Sequence, residues 1–459
     1  MNQQLNNWID THRELIIESL CSIIKYPSVK DFASSKETPF GKDIADCLDY
    51  MISLGKKYGF KTKNLDGYAG IIDSEYYGDE LIGILTHIDV VPSGTGWTFP
   101  PFEGTIDRGK IYGRGAMDDK GPVIASFFAM VALKECGIPL NRRLRLIMGC
   151  DEESGMSCID HYRDVEEIPT MSFSPDADFP LVNYEKNIFH AYYECKMNSD
   201  ITIQCGERVN IVPSLASATV PHNVVEIKEL VDDAMKSAHI EYMLSSIKDG
   251  TKIEVFGKAS HSSHPEKGKN ALQALIYLLT FLPLKEEDHK MIHLLYDMFA
   301  LEYNGASLSL VREDESGALT LNVGVMQWTH EGFEMQIDIR APLSTTRKEI
   351  EDAINSKITG SGIICSPKTK FVDGLYVPED DELAVKLLHA YRDFTGDFRP
   401  PIKTGGGTYA RRLPNTIAFG IESPEKDSVM HMPDECIDIE ELILDTKILA
   451  HAMMALATK

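Results

Sequence analysis

Five separated segments gather imidazoles and carboxylates: "THIDVVPSGTGW" with His87 and Asp89, "GRGAMDDKGP" with Asp118 and Asp119, "CDEESG" with Glu152 and Glu153, "SPDADFP" with Asp176 and Asp178, and "HMPDE" with His431. Alone, each has an ordinary explanation. A strand-end histidine is usually structural, one aspartate before a helix serves as an N-cap, and an acidic run can be a solvated turn. The N-cap accounts for one aspartate of "DDKGP" but not for two, and three successive carboxylates in "DEES" repel one another unless cations compensate. The glycines of "GRGAMDDKGP" do not make a phosphate cradle, because the lysine-serine partner is missing and two carboxylates oppose an anion. Together the segments offer hard and borderline ligands that suit Zn²⁺, Mn²⁺ or Co²⁺, enough for two ions sharing a carboxylate. Such a pair lowers the pKa of a water held between them and leaves a spare glutamate as general base. The chemistry implied is hydrolysis.

Residues so far apart need a fold that collects them. "LIGILTHIDVV" reads as a buried parallel strand, which sets His87 and Asp89 on one face at its carboxyl end, the usual place for ligand sites in α/β sheets. Pro122 predicts a helix starting there, with Asp118 and Asp119 in the loop before it. From Met1 to about residue 180 strands alternate with amphipathic helices, beginning with one N-terminal helix, the rhythm of an α/β domain with a mostly parallel sheet. From about 186 to 377 strand-like runs surround two long helical stretches, which reads as an α+β insertion. A helical pattern resumes at Asp381, followed by "KTGGGTYARRLPNTIAFG" and a last helix from Asp438. The expected organisation is a catalytic domain over 1–185 and 378–459 interrupted by an inserted domain over 186–377, with the cleft between the two bodies.

Composition bounds the function. The chain has 459 residues and a net charge of −24, which repels phosphate backbones and anionic lipid, so neither nucleic acid nor membrane is expected as a partner. Nine cysteines without a C-x-x-C pair argue against a disulfide framework and a thiolate zinc site. The longest apolar stretch, "PVIASFFAMVAL", is far shorter than the ~20 residues a membrane span needs. The N-terminus lacks the basic and apolar regions of a signal peptide. A cytoplasmic protein is expected.

In order and spacing, the five motifs resemble the signature set of the dinuclear metallopeptidase family that contains carnosinases, aminoacylases, succinyl-diaminopimelate desuccinylases and PepV-type dipeptidases. The "GW" of the first motif and "DDKGP" are most similar to the dipeptidase branch. The resemblance implies a phosphorylase/hydrolase-like α/β catalytic domain and an inserted lid. It assigns His87 and Asp176 to one divalent ion and Glu153 and His431 to the other, with Asp118 bridging because the family places its bridge two residues before the lysine, here Lys120. Asp89 would orient His87, and Glu152 would be the general base. In the insertion, "FGKASHSSHP" is similar to the family's G-x-x-[AS]-H motif, which makes His261 rather than His264 the candidate to polarise the scissile carbonyl. Asn210 in "RVNIVP" and Arg340 in "DIRAP" match further substrate-binding positions, and Gly406, Gly407 and Thr408 of "GGGT" resemble the loop that meets a terminal carboxylate. The activity implied is hydrolysis of dipeptides with free termini by a water between two Zn²⁺ or Mn²⁺ ions, with Co²⁺ serving in vitro, in a monomer or homodimer. Deacylation or desuccinylation of an N-acyl amino acid at the same site is the alternative, as is a metal-binding scaffold without catalysis.

Overall fold

A computed structural model of the chain describes residues 1–32, 35–75, 78–423, 425–426 and 428–458. The chain forms two compact units, one of Met1–Asn183, Tyr376–Ile402 and Thr408–Lys459, the other of Tyr184–Leu375 and Lys403–Gly407. The segment 403–407, read from the sequence as part of the catalytic domain, belongs to the second unit. There the Lys186 N–H bonds the Thr404 carbonyl and the Arg340 guanidinium bonds the Gly405 carbonyl.

The first unit is built on a mixed sheet. Its centre is parallel, in the order Arg143–Gly149, Leu81–His87, Met171–Ser174 and Thr416–Ala418. Ala69–Asp73 and Lys61–Leu65 extend one side antiparallel, and Ala418 pairs antiparallel with Val182 on the other. Leu81–His87 is buried at every residue, as expected of a strand covered on both faces. The helix Lys120–Glu135 is buried along nearly its whole length, and Ile439–Ala457 is the last helix. That first helix begins at Lys120, not Pro122. Proline is tolerated in the first turn because the N–H it lacks has no intrahelical acceptor there. The N-terminal stretch is two helices, Gln3–Thr11 and Arg13–Ile24, broken at His12.

The second unit carries an antiparallel sheet in the order Glu241–Ile247, Gly250–Phe256, Leu215–Val220, Thr202–Cys205, Thr320–Thr329, Gly332–Ala341, Asn187–Lys196 and Ile364–Cys365. Alternate residues of Asn187–Lys196 are buried, and Phe189, Ala191, Tyr193 and Cys195 enter one core with the helices of this unit. That period of two is the mark of a sheet covered on one face. Four helices lie in the insertion rather than two stretches: Val224–Ala238, Ala271–Leu279, Glu286–Phe299 and Arg347–Ile358. The first and last start with capping boxes, at Asn223 and Thr346, which satisfy backbone donors the helix itself leaves open. No described helix is long and apolar enough to cross a membrane.

Candidate active site

The carboxyl ends of the parallel strands converge on one side of the first unit's sheet. His87 is the last residue of its strand, Asp151–Glu153 follow the strand ending at Gly149, and Asp176 follows the one ending at Ser174. Asp118 precedes the helix at Lys120, and His431 precedes the short strand Cys436–Asp438. The His87 Nε2 atom lies 3.0 Å from one oxygen of Asp118 and 3.7 Å from Asp176. The His431 Nε2 atom lies 2.9 Å from the other oxygen of Asp118 and 3.2 Å from Glu153. Two ligand groups result, His87–Asp118–Asp176 and Asp118–Glu153–His431, with Asp118 common to both.

The donor set fits divalent ions. Nitrogen and oxygen atoms bound to one zinc at about 2.0–2.2 Å sit roughly 3 Å apart, close to the separations found here. Among the described residues the buried His87 Nε2 makes no well-aligned hydrogen bond, although an Asp118 oxygen lies 3.0 Å away, and an ion would remove that cost. The other ring nitrogen, Nδ1, is 3.0 Å from the Asp89 backbone carbonyl and 3.5 Å from the Asp89 carboxylate. The nearer partner of His87 on Asp89 is thus main chain, whereas the sequence points to the side chain. The Asp89 carboxylate instead accepts the backbone N–H groups of Glu152 and Glu153, each at 3.1 Å. It therefore fixes the turn that presents those two glutamates.

The cluster is electrostatically loaded. Burial opposes a charge on His87, yet the Asp118 and Asp89 carboxylates push its pKa well above the ordinary imidazole range. His431 is raised to about 10, chiefly by its hydrogen bond to Asp118 and then by Glu153. Burial also opposes ionisation of Asp118, but the hydrogen bond from His431 and the close approach of His87 outweigh it and hold the group below the usual carboxylate range. Asp176 is pushed up to about 7, by burial and then by Asp118. Glu152 lies well above the ordinary value, first through burial, with Asp176, Glu153 and Asp118 adding to the rise and His87 opposing it. Crowded buried carboxylates with displaced pKa values are the electrostatic mark of a site for cations.

Asp118 and Asp119, alike in sequence, part in the fold. Asp119 is fully buried and accepts the backbone N–H of His87 at 2.8 Å. It stands at the N-cap position of the Lys120 helix, but its side chain makes no cap hydrogen bond.

Glu435 is a residue that sequence reasoning missed. Completely buried, it accepts the backbone N–H groups of Gly115, Met117 and Asp118 at 3.0, 3.0 and 3.2 Å on one oxygen. Its other oxygen pairs with the buried Arg114 at 2.5 Å, whose guanidinium lies 5.2 Å from the Trp97 ring centroid. One carboxylate thus shapes the Asp118 loop and ties it to the loop carrying His431. Asp151 plays a similar part, holding Lys30, Ser154 and Ser157.

The remaining predicted residues, except Thr408, lie in the second unit. His261 sits on the short strand Ser260–His261, paired with Ile211–Val212, and the Ser262 N–H bonds the Asn210 carbonyl at 2.9 Å. The His261 ring is exposed, with Nδ1 2.6 Å from the Ser263 hydroxyl and accepting the Ser263 backbone N–H at 3.2 Å. That N–H has no lone pair to offer, so Nδ1 is the acceptor and Nε2 carries the proton in the neutral ring. Partial desolvation and the nearby Arg340 charge lower the His261 pKa, which favours that neutral form. His264 instead faces Glu266 at 3.3 Å.

Arg340 is buried and committed. Its Nε and Nη2 bond Asp338, and its Nη1 bonds the Gly405 carbonyl at 2.8 Å. In this structure it joins Asp338 to the 403–407 segment. Gly406 donates its N–H to the Thr404 hydroxyl, and Thr408 caps the turn at Ala410.

Comparison with known proteins identifies the family. The signature of peptidase family M20/M25/M40 matches residues 83–455. The chain is 36% identical over 470 residues to "Putative dipeptidase YtjP" of Bacillus subtilis, covering 98% of this chain and 100% of that protein. It is 32% identical over 459 residues to a "Putative dipeptidase" of Staphylococcus epidermidis, with 97% of each chain covered. The crystal structure of human carnosine dipeptidase 1 shares the fold at 14% identity, with a TM-score of 0.60 over 99% of this chain and 98% of that one. The Saccharomyces cerevisiae di-peptidase Dug1p gives the same TM-score, identity and coverage. With a signature that spans most of its length and a relative that matches it from end to end, this hydrolytic enzyme belongs to peptidase family M20/M25/M40.

Proposed function

We propose that the chain is a metal-dependent dipeptidase that hydrolyses dipeptides with both termini free. The observation that carries this reading is the shared Asp118, whose two oxygens face His87 and His431 within one buried acidic cluster beside Glu152. The names of the relatives that match the whole chain support the substrate class. Two ions of the Zn²⁺ or Mn²⁺ class, held by His87 and Asp176, by Glu153 and His431, and jointly by Asp118, would supply Lewis acidity and a more acidic water.

The chain's own groups do the rest. Glu152, kept basic by burial, takes the proton of the attacking water and returns it to the leaving amine. His261, neutral and protonated on Nε2, donates to the carbonyl oxygen as negative charge develops there. Asp89 holds Glu152 and Glu153 in register through their backbone N–H groups. Arg340 fixes the Gly405 carbonyl, so that the backbone of Gly406, Gly407 and Thr408, together with Asn210, reads the substrate's carboxylate end. Nine free cysteines support a reducing, cytoplasmic setting.

The test is a substrate panel. Metal-stripped protein reloaded with Zn²⁺, Mn²⁺ or Co²⁺ is given dipeptides, tripeptides, C-terminal amides and N-acyl amino acids, and amine release is followed. Dipeptides should be cleaved far faster than tripeptides or amides, because a site built for a charged group rejects analogues that leave its polar groups unpaired. Efficient cleavage of N-acyl amino acids with dipeptides inert would transfer the site to deacylation.

A further inference from the structure

The second unit contains a cavity of about 240 Å³ that the proposed reaction does not use. Val212, Ile240, Ala274 and Leu321 form apolar walls, and Asn270, Gln273 and Asn322 lie at its base. The amide nitrogens of all three are satisfied within the protein. Asn270 donates to Asn322 and to the Val323 carbonyl and accepts two helix N–H groups, while Gln273 donates to the carbonyls of Phe299, Ala300 and Glu302. The interior therefore offers a ligand chiefly apolar contact.

The mouth is different. Phe256, Leu301 and Tyr303 stand around it with 40%, 45% and 46% of their surface exposed, and large apolar side chains left in water around one concavity mark a ligand site. Lys269 is exposed at the same rim and forms no ion pair among the described residues. The other charged residue of the lining, Glu302, has its carboxylate occupied by the backbone N–H groups of Ala306 and Ser307, each at 2.8 Å. An apolar interior with one unpaired cation at its mouth suits a small molecule with an apolar body and a single negative end. The wall is also the hairpin of His261: Val212 pairs with Ser260, and Pro265 and Gly268 line the cavity.

We propose that this cavity binds a small aryl or branched-alkyl carboxylate, ring or alkyl group inward and carboxylate on Lys269. The probe is 3-phenylpropionate, compared with its neutral amide 3-phenylpropanamide, titrated by calorimetry into the metal-loaded enzyme, the Lys269→Met variant and the Phe256→Asp variant. The carboxylate should bind saturably at one site and at least five-fold more tightly than the amide. Lys269→Met should erase that preference, and Phe256→Asp, which sets a like charge in the rim, should remove binding of the carboxylate. Leu301→Asp replaces Phe256→Asp if thermal melting shows the latter unfolded. Absence of saturable binding, equal affinity for the amide, or binding unchanged in both variants would overturn the assignment, the last being the behaviour of a carboxylate bound at the Asp118 cluster instead.

Discussion

Replacing Glu435 with glutamine tests whether one buried carboxylate organises the Asp118 loop. Glu435→Ala would strip three N–H groups of their acceptor and leave Arg114, 1% exposed, with no counterion. Uncompensated buried charge alone costs about 3–5 kcal/mol, a large share of the roughly 5–15 kcal/mol that keeps a domain folded. Glutamine is the more informative change, because its amide oxygen can still accept from Gly115, Met117 and Asp118 while the amide nitrogen faces the Arg114 donors. What is lost is one charge-assisted hydrogen bond, about 1.5–3 kcal/mol, which at the roughly 2 °C per kcal/mol of so large a unit corresponds to a fall in Tm of about 3–6 °C. Residues that hold metal ligands in place typically change metal affinity by about 10–100-fold. Both ligand groups use Asp118, so binding of both ions should weaken. The assay is competitive titration of stripped protein with Zn²⁺ against a chelating dye, alongside thermal melts at matched metal. Wild-type affinity for both ions in a folded Glu435→Gln protein would refute the reasoning.

Three further outcomes follow from the same geometry. Glu152→Gln should keep its metal and lose turnover by about 10²–10⁴-fold, the usual contribution of a general base, whereas Glu153→Gln should lose metal; metal analysis and kinetics together would expose an exchange of the two roles. His261→Ala should retain metal content and Tm while kcat falls by about 10²–10³-fold, the effect of removing one oxyanion donor, and a His264→Ala control should not reproduce it. Asp445 keeps its proton to a pH well above its ordinary range, because burial in the last helix disfavours the carboxylate and Glu441 adds repulsion. A folded state that binds more protons than the unfolded one loses stability as pH rises above the unfolded pKa of about 4. Asp445→Asn should therefore be more stable than wild type at pH 8, with the two Tm values converging towards pH 5; parallel curves would rule this out.

What the sequence displays depends on how local the physics is. Leu81–His87 is readable as a buried strand because its apolar run ends at a polar residue, and strand ends are where α/β sheets bind ligands. Asp118 and Asp119 cannot be told apart by residue type, and only the family's spacing to Lys120 favours Asp118; the physical difference lies in which carboxylate turns back to the His87 N–H. Arg340 is a case of a signal available but unread. Strand periodicity sets residues two apart on one face, so "DIR" already places Asp338 beside Arg340 and points to an internal ion pair. Glu435 lay beyond sequence reasoning, because its partners are main-chain N–H groups of a distant glycine-rich loop, and a backbone donor has no residue type to recognise.

The Arg114–Glu435 pair spans 321 positions, and this bears on how the chain is made. A ribosome delivers Arg114 long before its counterion exists, and the second unit's Tyr184–Leu375 emerges in between. Domains fold as units during synthesis, so that stretch can condense first around its own core while the Asp118 loop waits, unanchored. Closing the long loop to Glu435 is entropically slow, and only then do the His431 and Asp118 segments lock together. Hydrolytic competence is therefore the last property the nascent chain acquires, and a chain halted before residue 431 would be without it.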